Sequence, residues 1–585
     1  MFYLIFIKTM RKVFLLAALL AVGGSVMTAQ WSNDPMENNR ITPIGVDIYD
    51  FDLGVSNNGN VFVTFTRPVG GNIRTLLQIV DTDGNMLFPE EGMTVSSETT
   101  LSWTLVGEMM FVDRDGNAII AVTDCRNSAG DDVSYSLYKV SSTGEMLWGD
   151  KGIDLSSGES FYLVHNMQMV QIEDGSYVIA WAISDYSERT YIQLQRISQS
   201  GELLWDDEEV RLYNSSFNYE YPYLVNAGFN QVILVYVRGV GRHLAARKID
   251  FDGTNVWSED VYIYRGGFTI PPLWVIINVI PDQMGGAFVG WYDDRDWTNK
   301  ESTFVSHVTS NGTLGFASGE EGEKVGYSEE LRGFSPEMYF DKDANFLYVF
   351  WRETSQGQSY QQITGQKLRI PSGELMWGPD GLEILPLTQG LSISAYSVKR
   401  TGNGDMALFF TANTWDEENG YAKDVNNVML LNQNGGYVWK DQKIEFATTV
   451  SMKSRLISTP LIDDIYWVTG WKDSRTLTGE TSARDKIYLQ RVNIDGTLGE
   501  FVSIKRTDIE TIAIYSSEKM ISIVNPENIY IESVQLFDIN GRMLLDYVVK
   551  RDGDVQIPAD INEHIAIVKV IGKNAVIETL KIFVK

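Results

Sequence analysis

The sequence has little of several features that would assign a chemistry at once. A single cysteine, Cys125, among 585 residues excludes an intrachain disulfide. The four histidines are scattered and never form an H-E-x-x-H pattern, so no zinc-hydrolase motif is present. Neither a G-x-S-x-G nucleophile elbow nor a Walker phosphate loop occurs. Lys and Arg number 48 against 77 Asp and Glu, and the formal net charge of -29 makes nucleic acid a poor partner.

Long apolar runs are also missing, apart from one near the N-terminus. Residues 1–29 carry three basic residues, an apolar run of about ten residues at 13–22, and a small and polar stretch at 23–29. This order is typical of a secretory signal peptide, and the run is shorter than the roughly 20 residues that a membrane-spanning helix needs. We expect cleavage between Ala29 and Gln30, and a mature protein outside the cell or on its outer surface. Because Cys125 is the only cysteine, a lipoprotein anchor is excluded.

What the chain has in quantity is glycine and aromatic residues. It contains 51 Gly and only 15 Pro, with 44% hydrophobic and 12% aromatic residues, and no stretch shows a convincing helical period. This composition favours a folded all-β protein with many turns.

One turn motif recurs about every 59 residues: a small or polar residue, Gly, three residues, then an aromatic. The separations between its glycines range from 52 to 62 residues. The glycines are Gly84, Gly144, Gly201, Gly253, Gly312, Gly373, Gly435 and Gly496, and the tryptophans at the aromatic place are Trp148, Trp205, Trp257, Trp377 and Trp439. Phe88 and Phe316 occupy this place in two further copies, and in the eighth copy Phe501 comes one place late. A constant period of this size indicates a solenoid, a propeller or a domain array.

The strands within each period favour the propeller. An almost continuously apolar strand, such as 118–122 or 287–291, is followed by an alternating strand that ends in the Gly turn. One further strand precedes this pair and one follows it, which gives about four antiparallel strands per repeat. We therefore predict a β-propeller over residues 30–508, with eight blades, or seven if one terminal copy is degenerate.

Two repeated features have competing interpretations. The aromatic of each turn is best explained as packing between neighbouring blades, and sugar stacking is the alternative. An Asp-x-Arg signature at Asp124/Arg126, Asp293/Arg295 and Asp473/Arg475 fits ion pairs or turn-stabilising bonds within or between blades. The alternative for this signature is a ring of charges that faces a ligand.

Tests for catalytic or metal sites are mostly negative. The Gly-to-aromatic spacing of four differs from the spacing of three in the sialidase box, so that enzyme class is not matched. The acidic turns at 81–84, 113–116 and 250–253 lack the Gly and Glu of a calcium-binding EF-hand, and turn formation explains them better. We expect no cofactor, with calcium as the alternative. A glycosidase carboxylate pair is defined by separation in space, and the sequence does not reveal one.

Residues 509–585 change character, with short β-branched strands and no Trp. The run 534–542 contains an Asn-Gly hairpin turn and is followed by strand-like runs at 565–569 and 579–585, which together indicate a small β-sandwich. This segment resembles the C-terminal sorting domain of type IX secretion cargo. The family's Asp-x-x-Gly-Arg turn is matched by Asp538, Gly541 and Arg542, and its last strand by Lys581 and the hydrophobic residues after it.

The resemblance implies an Ig-like sandwich in a Gram-negative secreted protein. It implies export through the periplasm, contact with the type IX machinery, removal of the domain, and attachment to surface lipopolysaccharide or release. One family element differs, because His564-Ile565-Ala566 stands where members have Gly, a hydrophobic residue and Tyr. An ordinary C-terminal sandwich is the alternative.

Three functions remain open. The preferred one is a secreted or surface-displayed propeller that binds a protein or glycan through loops at one mouth. The second is a secreted hydrolase of glycans or peptides with carboxylates on those loops, and the third is a structural surface protein. The first rests on missing catalytic motifs and on fold analogy, which is weak support for function.

Overall fold

In the computed structural model, residues 31–583 are described except for short gaps. The gaps are residues 99–108, 129–131, 157, 185–188, 206–209, 240, 267–276, 296–299, 327, 329, 417–420, 481, 501–512, 518, 526–527, 540–541, 560, 562–564 and 573–575. The predicted signal peptide, the cleavage site at Ala29 and Gln30, Phe501 and Gly541 therefore lie outside the described residues, as does the side chain of Lys581.

Within the described residues, the chain between 39 and 493 forms eight antiparallel sheets of four or five strands, which we number 1 to 8 in chain order. Strands within a sheet are called first to fourth in sheet order. The strands of sheets 1 to 4 are Asp50–Val55, Val61–Val69, Asn72–Val80 and Met93–Thr94; Met109–Val112, Ala118–Asp124, Ser134–Val140 and Ile153–Asp154; Leu163–Gln171, Tyr177–Ser184, Tyr191–Ile197 and Arg211–Leu212; and Tyr219–Gly228, Gln231–Arg238, His243–Ile249 and Val261–Tyr264.

Sheets 5 to 8 continue the same pattern, with two additions. Their strands are Asn278–Pro281, Ala287–Asp293, Ser302–Val308 and Glu323–Lys324; Leu331–Asp341, Phe346–Ser355, Tyr360–Arg369 and Glu374–Leu375; Ser392–Arg400, Met406–Asn413, Val425–Leu431 and Lys443–Ala447; and Lys453–Ser458, Tyr466–Asp473, Lys486–Asn493 and Asn39–Arg40. In sheet 6 a fifth strand, Leu382–Gln389, also pairs with the third strand. A small hairpin of Trp415–Asp416 and Tyr421–Ala422 follows the second strand of sheet 7, and a short 3-10 helix spans Gly319–Glu321.

The fourth strand of sheet 8 comes from the N-terminus. Asn39 and Arg40 pair with Leu489 and Tyr488 of the third strand, more than 400 residues later in the chain. The sequence pattern did not predict this strand. It joins the two ends of the repeat region within one sheet.

The first strands form a closed circuit. Each contacts the first strands of the neighbouring sheets, and the first strand of sheet 8 contacts that of sheet 1. A separate hydrophobic cluster also fills each space between consecutive sheets, including the space between sheets 8 and 1. The second strands are mostly buried because they are covered on both faces, and Ala118–Asp124 and Ala287–Asp293 are buried along their whole length. The prediction of an all-β chain of four-stranded units is thus confirmed, and their arrangement is propeller-like.

The Gly turns lie between third and fourth strands and pack against the preceding sheet. All eight turn glycines have φ between 75° and 96°, a region that residues with a side chain rarely adopt. A Cβ added at Gly201 would lie 3.1 Å from Trp148 of the preceding sheet, and one at Gly312 would lie 3.0 Å from Trp257. The glycine therefore permits both the turn and the close approach of the aromatic ring.

The C-terminal part, described from 513 to 583 with gaps, forms two further sheets. One contains Ala513–Ser517, Met520–Val524 and Val555–Pro558, and the other contains Met543–Arg551, Ile531–Phe537, Ile565–Ile571 and Val576–Phe583 in that order. Buried residues of both sheets, such as Ile521, Ile557, Leu536 and Val568, share one hydrophobic cluster. No described helix is long and apolar enough to cross a membrane.

Candidate functional site

The two ends of the sheets differ in the connections they carry. First-to-second connections are mostly tight turns, and most third-to-fourth connections have 11 to 14 residues and begin with the Gly turn. We call that side the turn face. Second-to-third and fourth-to-first connections lie at the opposite end, the loop face, which includes the described segments 95–98 and 474–480. Because binding residues tend to lie on loops held by a rigid scaffold, the loop face is the first place to look for a site.

Strained residues mark the same end of the first strands. In sheets 3, 4, 6 and 8 the pairing of first and second strands shifts by a β-bulge, near Asn166, Tyr221, Ser335 and Arg455. These residues have φ between 52° and 55°, although none is glycine. Bulges and positive φ at non-glycine residues are found preferentially near functional sites, where they redirect side chains.

Two carboxylates lie at the same depth in the closed circuit, because each pairs with the residue just before an equivalent aromatic of the second strand. Asp52 of sheet 1 pairs with Thr64, which precedes Phe65, and Glu337 of sheet 6 pairs with Phe350, which precedes Trp351. Both acids are half-buried, as is Lys399 of sheet 7. With Arg455 of sheet 8, these residues form what we call the channel cluster, because first strands enclose the central channel of a propeller.

The carboxyl groups of this cluster have strongly altered acidity. Burial raises the pKa of Asp52 to about 6, although the N–H groups of Met110 and Leu53 and the charge of Arg455 act against it. The N–H of Met110 in sheet 2 donates to Asp52 Oδ2 at 3.0 Å. Burial also raises the pKa of Glu337 to about 7, and the charge of Lys399 only partly offsets it. Near neutral pH, Glu337 thus populates both an acidic donor form and a carboxylate acceptor form.

Cationic and phenolic side chains accompany the two carboxylates. Burial lowers the pKa of Lys399, while the carboxylates of Glu337 and Asp52 act to raise it. This lysine therefore interacts electrostatically with acids of two other sheets, 6 and 1. Arg455 Nε lies 3.0 Å from Asp50 Oδ1. The hydroxyl of Tyr396 is buried, and its pKa is raised by burial and by Glu337. The cluster offers donors and acceptors of both kinds in a partly dehydrated setting.

A serine and a histidine also meet at the loop face, but in a loose arrangement. Ser184 Oγ is 3.5 Å from His165 Nε2 and 3.0 Å from the hydroxyl of Thr190. Burial lowers the pKa of His165, and its Nδ1 lies 2.6 Å from Asn166 Oδ1. An activated nucleophile usually lies within about 3.2 Å of its base, so this geometry does not amount to a catalytic pair.

The Asp-x-Arg residues lie at the ends of second strands and bond within their own sheets. Arg126, Arg295 and Arg475 pair with their aspartates at 2.7 to 2.8 Å, and the aspartate side chains are fully buried. A second nitrogen of each guanidinium donates to a backbone carbonyl just before the fourth strand of the same sheet. These carbonyls belong to Lys151, Glu321 and Met36. The pairs hold the fourth strand, including the N-terminal one, and their aspartates are unavailable to a ligand.

The repeated tryptophans join consecutive sheets by a hydrogen bond. The indole N–H donates to a carbonyl two residues before the next turn glycine: Trp148 to Gln199, Trp205 to Phe251, Trp257 to Ser310 and Trp439 to Ile494, at 3.0 to 3.2 Å. Trp377 lies against Gly435. Their rings are therefore engaged in packing between sheets.

Sequence reasoning missed the residue that continues this series across the closure. Trp31 donates from its indole N–H to Thr82 O at 2.8 Å, and Thr82 stands two residues before Gly84. It occupies the place that the eighth repeat would give to Phe501. Trp31 is the second residue after the predicted cleavage position and lies outside the repeated motif, so the period did not assign it.

The acidic turns are held by their own backbone. Asp81 Oδ1 accepts from the N–H groups of Asp83 and Asn85, and Asp113 Oδ1 accepts from those of Asp115 and Asn117. Within the described part of the chain, no group of three or more His, Cys, Asp or Glu side chains is placed to hold a metal ion.

In the C-terminal part, the described motif residues meet at the predicted hairpin. Arg542 N–H donates to Asp538 Oδ1 at 2.8 Å, and the Arg542 Nε donates to Asp538 Oδ2 at 3.0 Å. Gly541 lies outside the described residues. The backbone of Lys581 is part of the last strand, Val576–Phe583.

Comparisons with known proteins identify no family for this chain. No protein-family model matches the chain, and no curated protein matches it. A protein of unknown function from Dyadobacter fermentans has a similar structure with a TM-score of 0.35 and 10% identity, over 78% of this chain and 96% of the other. The α-L-arabinofuranosidase Arb93A from Fusarium graminearum is similar with a TM-score of 0.31 and 10% identity, over 58% of this chain and 99% of the other.

The polysaccharide lyase Uly1 is similar with a TM-score of 0.38 and 11% identity, over 81% of this chain and 94% of the other. Similarities this low leave the function to be argued from the chain's own residues.

Proposed function

We propose that this protein is a secreted or surface-displayed eight-bladed β-propeller that binds a glycan within its central channel. The eight sheets are taken as the blades, and the Asn39–Arg40 strand closes the ring. The observation that carries the proposal is the channel cluster, in which four separate sheets contribute Asp52, Glu337, Lys399 and Arg455. A glycan fits this cluster better than a protein surface, because half-buried donors and acceptors suit a narrow chain of hydroxyl groups.

Binding is tested with the full chain and a panel of oligosaccharides by isothermal titration calorimetry. The double variant D52N/E337Q should weaken binding by about tenfold or more, since each lost charge-assisted bond contributes about 1.5–3 kcal/mol. D81N is the matched control, because Asp81 belongs to sheet 1 but lies in a tight turn on the turn face. Unchanged affinity in D52N/E337Q would contradict the proposal, and a panel without any binder would favour the structural surface protein.

Glycan hydrolysis is the second candidate, and the unequal acidity of two carboxyl groups favours it. With the pKa of Asp52 raised to about 6 and that of Glu337 to about 7, near pH 6.5 Glu337 holds its proton more readily than Asp52. A protonated and an ionised carboxyl group are what glycoside cleavage requires. Release of reducing sugar by the wild type, lost in E337Q and retained in D81N, would establish hydrolysis. Binding without release would leave the protein a binding module.

For the ends of the chain, we propose a signal peptide over 1–29 and a type IX sorting domain with an Ig-like fold over 509–585. The paired Asp538 and Arg542 at the hairpin and the shared core of the two C-terminal sheets support the sorting domain. The type IX machinery and surface lipopolysaccharide are the partners that follow. Sequencing the termini of the extracellular protein tests this. A form that starts near Gln30 and ends before about residue 509 is expected, and an intact chain retained in the periplasm would contradict it.

A further inference from the structure

A second group of side chains, far from the channel, lines two adjoining cavities on the outer rim. The cavities have volumes of about 630 and 370 Å³ and share Trp257, Glu259, Asp260 and Tyr262 in their walls. They lie where the connection before the fourth strand of sheet 4 meets the Asn311–Gly312 turn of sheet 5. We call them together the rim groove.

The groove has a rigid floor. The Trp257 indole is 8% exposed and donates its N–H to Ser310 O at 3.2 Å. The Arg265 guanidinium lies 3.7 Å from the ring centroid of Tyr262, and its Nε is 2.9 Å from Glu320 Oε2. Stacking and ion pairing together fix this guanidinium while its side chain stays 54% exposed. Groups held in place before binding lose little conformational entropy when a ligand arrives.

The rim groove has equal numbers of acidic and basic side chains. Three acids, Glu259, Asp260 and Glu320, and three arginines, Arg238, Arg247 and Arg265, line the two cavities. Asp260 is held by Arg247 at 2.7 Å and by Arg238 at 3.5 Å. In a chain of net charge -29, this is a locally neutral surface with many donors and acceptors.

This combination selects one class of ligand. An anion would meet three carboxylates, and a cation would compete with arginines that already pair with Asp260 and Glu320. An apolar molecule would leave the lining polar groups without partners. A neutral molecule with many hydroxyl groups can bond to both signs of charge at once. The volumes lie within the range of about 300–1,000 Å³ that is usual for ligand sites.

We propose that the rim groove is a second binding site, separate from the channel, that takes a neutral oligosaccharide. Arg265 presents the exposed edge of its guanidinium to sugar hydroxyls, and Glu259 accepts from them. The site stands whether or not the channel binds a glycan, because the two share no residues.

The test uses the full chain in the D52N/E337Q background, which removes the channel cluster, and neutral malto-, cello-, xylo- and manno-oligosaccharides as probes. Binding of at least one probe should remain, and R265A and E259A should each weaken it by about tenfold or more. R369A is the matched control, because Arg369 forms an equally exposed pair with Glu374 at 2.9 Å outside the groove. R369A should change the affinity by less than about twofold.

The outcomes separate the two sites. Binding that survives D52N/E337Q and is weakened by R265A and E259A supports the rim groove even if the channel proposal fails. Binding lost in D52N/E337Q and unchanged by R265A in the wild-type background supports the channel alone and overturns the rim groove. No binding of any of these neutral probes at the groove also overturns it. Both Arg variants change exposed side chains, so equal unfolding midpoints check that the fold is intact.

Discussion

At the scale of single residues, the burial of Asp52 lowers stability in a way that depends on pH. Its pKa is raised to about 6 by burial, so above that pH the folded state holds a charge that water would solvate better. The folded state binds the proton more tightly than the unfolded state between about pH 4 and 6, so this residue's contribution to stability falls as pH rises through that window.

D52N removes this cost. We expect the free energy of unfolding of D52N to exceed that of the wild type at pH 8 by on the order of 1–2 kcal/mol, and the two to be equal near pH 4. Thermal unfolding followed by circular dichroism at both pH values measures the difference. A variant that is less stable than the wild type at pH 8 would mean that Arg455 and Lys399 depend on the carboxylate charge.

Gly201 tests whether the repeated turns need glycine. Its φ of 96° is unfavourable for an L side chain, and an added Cβ would come within 2.8 Å of Ile153. G201A should therefore lose about 1–3 kcal/mol in urea unfolding. Gly357 is the control, because a Cβ added there meets only Ser359 at 3.9 Å. Equal losses in G201A and G357A would refute a specific role for the turn.

At the scale of the elements, the repeated hairpins could be predicted from the sequence, whereas the strand that closes the circuit of sheets could not. The third-to-fourth hairpins were predictable because Gly, the aromatic and the following strand recur together in one short window. The Asn39–Arg40 strand has two residues, too few for a period, and its partner Leu489 is remote in sequence. The channel cluster was hidden for a related reason, since each of its members lies on a different sheet and only the closed circuit brings them together.

The N-terminal segment gives the element-scale prediction. W31A removes the indole bond to Thr82 and a buried ring from the cluster between sheets 8 and 1, so we expect a loss of about 3–5 kcal/mol and a lower unfolding midpoint. Met36 belongs to the same segment but is 60% exposed, which makes M36A the control. An unchanged midpoint in W31A would show that the ring closes without this segment.

At the scale of the whole molecule, a net charge of -29 should oppose compactness. Salt screens this repulsion, so raising NaCl from about 20 to 200 mM should raise the thermal midpoint of the wild type. Differential scanning calorimetry at constant pH measures the shift. A midpoint that falls with salt would instead show that ion pairs such as Arg332–Glu301 outweigh the general repulsion.

The location of glycan binding is the claim on which the functional proposal depends. Hydrogen–deuterium exchange of the full-length R265A variant, with and without the oligosaccharide that binds most tightly, tests it directly while the rim groove is impaired. We predict that protection on binding is concentrated in the first strands 50–55, 331–341, 392–400 and 453–458. Protection confined to the turn face or to the fourth strands, or no protection in these first strands, would contradict binding at the channel.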